Sequence, residues 1–177
     1  TALILQLRNL WRTALMHGTS DLITLDDEIE FIGAYLDIEK LRLGARLEVR
    51  WAIAPETRQL LVPQLILQPL VENAILHGIA CCREGGWIEI TAAKADAPPR
   101  LCLEVRNSVG GKSKSGMGLG LKNTSARLKY LYLDEAVFSF EIAAQRIAIA
   151  TLEMPVFGSR PNGGQFREKE AAISGKA

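Results

Sequence analysis

Apolar positions along this chain fall into helical and strand spacings that switch several times. In residues 1–18, Leu3, Leu7, Leu10, Ala14 and His17 recur at four and three residues, the seam of a coiled coil, and Ile4, Trp11 and Leu15 widen it. Two heptads are too few to stand alone, so this helix is expected to pack on something. Thr24 followed by Asp27 and Glu28 reads as an N-cap with first-turn acids. The helix it opens carries Leu25, Ile29, Ile32, Leu36 and Leu43 on one stripe, and Gly44 stops it. The alternating charges of residues 35–42 read as its solvated face.

Strand spacing follows. Leu47, Val49, Trp51 and Ile53 alternate with polar or small residues until Pro55. Pro63 suits the first turn of a short helix, and Pro69 predicts a break before a second helix that carries Asn73. Turn residues Glu84-Gly85-Gly86 and Pro98-Pro99 bracket Ile88, Ile90 and Ala92. Leu101, Leu103 and Val105 complete a hairpin. After Arg106 the pattern gives way to a polar, glycine-rich run to Gly116 that cannot bury enough surface to order itself, which reads as a lid. A helix from Leu119 to Tyr132 turns Leu121, Leu128 and Leu131 inward, and strands are predicted near 138–142 and 147–154. Three helices against about five largely antiparallel strands predict a two-layer α/β sandwich. The chain divides into a helical segment (1–44), a domain (45–157) and a disordered tail (158–177).

Composition narrows the picture. A chain of 177 residues, 48% apolar, holds one full domain with a helical appendage. Lys and Arg number 21 against 20 Asp and Glu, without a basic run, so nucleic acid is not the expected partner. The longest apolar stretch, 60–71, is interrupted by Pro63, Gln64, Gln68 and Pro69 and is too short for a bilayer. No signal peptide opens the chain. Thr1 is no start residue, and a longer parent protein is expected. Three cysteines, Cys81 and Cys82 adjacent, have no metal spacing and read as thiols of a reducing compartment.

The chemistry concentrates in Leu67-Gln68-Pro69-Leu70-Val71-Glu72-Asn73-Ala74-Ile75-Leu76-His77-Gly78. Asn73 and His77 are four apart and share a helix face. Alone, they could equally be polar residues bonded to nearby backbone. A second stretch, Gly116-Met117-Gly118-Leu119-Gly120-Leu121, changes that balance. Its glycines let bare N–H groups approach an anion, and the helix behind presents its positive end.

Together the two stretches resemble the N-box and second glycine box of the GHKL nucleotide-binding superfamily. The phrase Leu-Gln-Pro-Leu-Val-Glu-Asn-Ala-x-x-His-Gly most resembles the LytS-type sensor histidine kinases. Tyr35-Leu36-Asp37-Ile38-Glu39-Lys40-Leu41-Arg42 is similar to their linker between acceptor region and ATP-binding domain. The resemblance covers roughly residues 20–155. It implies the GHKL (Bergerat) fold and an ATP-binding catalytic domain that transfers the γ-phosphoryl group to a histidine, and thence to a response regulator. It implies ATP and Mg²⁺ as cofactors, with Asn73 on the metal and His77 toward phosphates or ribose. Further nucleotide contacts would come from Asn107 and Gly111, then from Gly116, Met117, Gly118, Leu119, Gly120 and Leu121, with Asn123 and Arg127 beyond. Lys112, Lys114 and Lys122 are further counter-charges, and Glu72 is a candidate catalytic group. A homodimer, and the cytoplasmic part of a membrane-anchored sensor, are also implied. The family's acceptor lies in a Pro-His-Phe-type motif. His17 does not sit in one, so the acceptor, in the phosphoacceptor region of the parent protein, is expected outside this chain.

Two departures matter. The first glycine box usually opens with an Asp that accepts from the adenine amino group. Here Asn107 stands there, and Val109 replaces a usual Gly. Asn107→Asp would then be expected to tighten ATP binding several-fold. In gyrase-like branches a Glu four residues before the metal Asn activates water. That position is Pro69, which favours phosphotransfer over hydrolysis. The alternatives are a degenerate regulatory or dimerisation module and a gyrase or mismatch-repair type ATPase.

Overall fold

A computed structural model describes residues 22–110, 118–143 and 146–156. The N-terminal seam with His17, most of the lid, and the tail lie outside the described residues.

Strand β1 (Leu22–Thr24) leads into helix α1 (Leu25–Leu43). Thr24 Oγ1 accepts the Asp27 N–H at 3.1 Å, and Gly44, at φ +62°, ends the helix with its N–H on the Lys40 carbonyl. The buried stripe is Leu25, Glu28, Ile32, Leu36, Glu39 and Leu43, so two carboxylates stand where only aliphatic side chains were expected. Ile29 is half-buried beside them. Glu39 is not on a solvated face, and its Oε2 accepts from Arg42 Nε at 2.8 Å.

Strand β2 (Leu47–Ile53) forms the sheet edge, which leaves Trp51 exposed. Strand β3 (Leu61–Pro63) pairs antiparallel with β1, so Pro63 closes a strand and does not open a helix. Helix α2 (Gln68–Asn73) carries Pro69 in its first turn, where the missing N–H costs nothing. A π-helical turn, Ala74–Gly78, continues it. Strands β4 (Gly86–Asp96) and β5 (Pro99–Ser108) form the hairpin. Helix α3 (Leu119–Tyr132), β6 (Val137–Ala143) and β7 (Ile147–Pro155) follow.

The sheet order is β2-β4-β5-β7-β6, with β2 and β4 parallel and every other pair antiparallel. One face carries rows such as Ile90–Val105–Ala150 and Ala92–Leu103–Leu152, all buried. The helices cover that face, giving a two-layer α/β sandwich. Leu25, Ile32, Leu36 and Leu43 of α1 lie in the same core as the sheet. Among the described residues no helix is long and apolar enough to cross a membrane.

Candidate functional site

Asn73 ends α2, half-buried, and His77 lies on the π-helical turn, exposed. Such turns recur at functional sites, where a widened backbone re-aims side chains. Gly118 caps α3 opposite them. A Cβ on Gly118 would lie 3.8 Å from Asn73 Oδ1 and 3.9 Å from His77 Nε2. The N-cap of α3 makes no side-chain hydrogen bond, so the first-turn amides face this gap without a protein acceptor from the cap itself. The fold thus brings together Asn73, His77 and Gly118, which are distant in sequence.

The other candidates sort around that gap. Leu119 and Gly120 are exposed on the first turn of α3, and a Cβ on Gly120 would lie 3.7 Å from Pro69 Cβ. Leu121 is buried and belongs to the core. Lys122 and Asn123 are exposed. Glu72 is half-buried and accepts from Gln68 Nε2 at 2.7 Å. Gly111, Lys112, Lys114, Gly116 and Met117 lie outside the described residues. Arg127 Nη1 donates to the Gln64 carbonyl at 2.6 Å, in the turn that precedes α2.

Asn107 is not loop. It belongs to β5, on the core-facing row between Ile88 and Ala148, and is buried. Its Nδ2 donates to the Ser108 carbonyl at 2.9 Å and lies against Gly78, where a Cβ would overlap it. Period-two continuation from Leu101, Leu103 and Val105 is the signal that places it inward. Strand β5 ends at Ser108, and the Val109 N–H beyond it donates to the Arg146 carbonyl at 2.8 Å.

This geometry sets a folding cost against the gain expected for Asn107→Asp. A carboxylate would set an oxygen against the Ser108 carbonyl oxygen and lose the amide donor. A buried acceptor left without its donor costs about 1–3 kcal/mol. The Asp variant should therefore melt earlier and bind ATP no more tightly, as calorimetric melting and titration will show. A several-fold gain in ATP affinity would contradict this orientation of Asn107.

A residue that pattern alone passed over is Glu28. It is fully buried, with Oε2 accepting the Leu65 N–H at 2.8 Å and Oε1 accepting the Leu67 N–H at 2.9 Å. Burial pushes its carboxyl above the usual range, while these amides and the Arg127 charge pull the other way. The signal was its place in the 25-28-32-36-39-43 spacing.

A mixed five-stranded sheet under helices, with an asparagine helix facing the glycine-capped end of another, is the two-layer arrangement of the GHKL fold. Residues 1–47 match the family model described as histidine kinase. The chain is 36% identical over 138 residues to sensor histidine kinase BtsS of Escherichia coli K12, 77% of this chain and 24% of that protein. It is 31% identical over 152 residues to the sensor histidine kinase/phosphatase LytS of Staphylococcus aureus Mu50, 78% of this chain and 26% of that protein. The chain thus spans about a quarter of the length of these relatives. Among solved structures, the histidine kinase AdeS of Acinetobacter baumannii superposes with a TM-score of 0.57 at 16% identity, covering 87% of this chain and 77% of that one. The catalytic domain of histidine kinase ThkA gives 0.54 at 17%, covering 76% and 94%. At these identities the superpositions speak to fold alone. Over the quarter of their length that it shares with these relatives, the chain is similar in sequence to sensor histidine kinases, LytS among them.

Proposed function

We propose that this domain binds Mg·ATP in the gap between Asn73 and Gly118 and presents the γ-phosphoryl group to a histidine outside this chain. The observation that carries this is Gly118 facing both Asn73 Oδ1 and His77 Nε2 within 4 Å of where its Cβ would stand. No side chain could be added at Gly118 without filling that gap. The donor set fits the metal, because Mg²⁺ accepts few protein oxygens and keeps several waters and phosphate ligands. Among the described residues no group of three His, Cys, Asp or Glu could hold a metal, so one carboxamide oxygen plus phosphate suits it better than a protein cage. When bound, Mg²⁺ would neutralise charge on the phosphates.

The chain's own residues then divide the work. Asn73 would offer its oxygen to the metal. The first-turn amides of α3 would hold the phosphates, with help from Lys122 and the glycine run 111–118. His77 and Asn123 would lie toward phosphates or ribose, and Asn107 at the adenine end. Pro69 leaves no base where gyrase-like ATPases place one, and Glu72 is engaged with Gln68, so positioning serves transfer more than water attack. Partners would be the phosphoacceptor region, a response regulator and a second copy, in the cytoplasmic part of a membrane-anchored sensor. In the same reading the catalytic domain starts near β1, because α1 lies in its core.

Titration calorimetry with ATP, with and without Mg²⁺, tests the reading. Metal-dependent binding supports it, and its absence would leave a degenerate regulatory module. With γ-labelled ATP the chain should release little phosphate and form no acid-labile phosphohistidine on His17 or His77. Steady hydrolysis would place it with the ATPases, and stoichiometric label on His17 would put the acceptor inside the chain.

A further inference from the structure

The turn 64–67 is where three helices meet. Leu65, at φ +60°, adopts the left-handed conformation that points successive amides toward one spot, a nest for an anion. The anion is Glu28 of α1, whose two oxygens take the Leu65 and Leu67 amides, with the Ile66 amide also favouring its charged form. Leu67 immediately precedes α2, which has no side-chain cap of its own, so a carboxylate from another helix serves its N-terminus. From the opposite side Arg127 of α3 donates to the Gln64 carbonyl, and its charge also favours the Glu28 carboxylate. The far end of α2 is Asn73, and the near end of α3 is Gly118. Arg127 lies nine residues from Gly118, about 13 Å along the helix, and its guanidinium is engaged by the Gln64 carbonyl.

We propose that Glu28 and Arg127 are positioning residues that set the gap between Asn73 and Gly118 by clamping the 64–67 turn. This assigns Arg127 a positioning role and lets α1 act, through α2, on the end of the site that carries Asn73. The inference rests on the Mg·ATP reading for its binding consequence, although the gap itself can be read without ligand.

Three variants test it. Glu28→Gln sets a donor NH₂ against an amide N–H, Arg127→Met keeps the stem without donors, and Arg127→Lys keeps charge and one donor. Each is first compared with the parent by near-UV circular dichroism and by the amide resonance of Gly118 and the side-chain amide of Asn73, without ligand. Those resonances should shift in Glu28→Gln and Arg127→Met, and less in Arg127→Lys. Mg·ATP affinity should fall roughly tenfold in the first two, as is usual when support behind a metal ligand is lost. Adenosine affinity without metal should change less than twofold. A general loosening would instead weaken both ligands together. If Glu28→Gln does not fold, the two Arg127 variants decide. Folded Arg127→Met with parental Gly118 and Asn73 resonances, or with equal losses for adenosine and Mg·ATP, overturns the inference. A parent protein that binds no Mg·ATP sinks the nucleotide reading instead, and the ligand-free resonances then still decide the clamp.

Discussion

Asn73→Ala should bind ATP with almost no dependence on magnesium. Asn73 is half-buried at the end of α2, and among the described residues its carboxamide makes no hydrogen bond. Removing it breaks no internal hydrogen bond, and alanine is the better helix former by up to about 0.7 kcal/mol. The fold should therefore hold, with the melting temperature unchanged or slightly raised. Losing even an outer-shell partner of a bound metal typically costs about 10- to 100-fold in metal affinity, and losing the ligand oxygen itself should cost at least as much. The Mg·ATP dissociation constant should rise by that factor toward the value measured with a chelator. Native circular dichroism with unchanged metal-dependent affinity would remove Asn73 from the site.

Gly78→Ala should destabilise the domain, although by helix propensity alone it would stabilise it by about 1 kcal/mol. Its φ of −96° is open to any residue, so the conformation of the backbone is not the reason for glycine. Space is. A Cβ would overlap Asn107 Nδ2 and come within 2.9 Å of the Ser108 carbonyl oxygen. The Asn107 side chain could turn away, at the cost of its bond to Ser108, about 0.5–1.5 kcal/mol. The carbonyl cannot, because Ser108 is held in register opposite Ile147. Overpacking of this kind costs about 1–3 kcal/mol, so the net change should be about 2 kcal/mol against folding. For a domain of this size that lowers the melting temperature by about 5–10 °C. Asn107→Ala in the same chain should restore part of the loss, since one of the two clashes goes, and the coupling is read as a double-mutant cycle. A Gly78→Ala protein as stable as the parent would show that Asn107 does not sit against this turn.

Much of this protein was legible without coordinates because it is written at short range. The Thr24 cap, the Gly44 stop, the paired alternations of β4 and β5 and the run from Leu119 to Tyr132 each depend on residues within a turn or a hairpin. Pattern reading found all of them. The phrase around Asn73 and the glycines after it marked the family for the same reason. What the sequence hid depends on partners far along the chain. Glu28 looked like an ordinary first-turn acid, yet the amides that make its burial tolerable lie 37 and 39 residues away. Arg127 looked like a counter-charge for phosphate, yet its acceptor, the Gln64 carbonyl, is 63 residues back. Asn107 looked like the start of a loop; the period-two spacing from Leu101 carries it inward, but that it sits against Gly78 is decided by the fold. Periodicity reports which face of an element is apolar, but a buried polar group is tolerated only where distant donors or acceptors meet it, and that meeting is made by the tertiary fold.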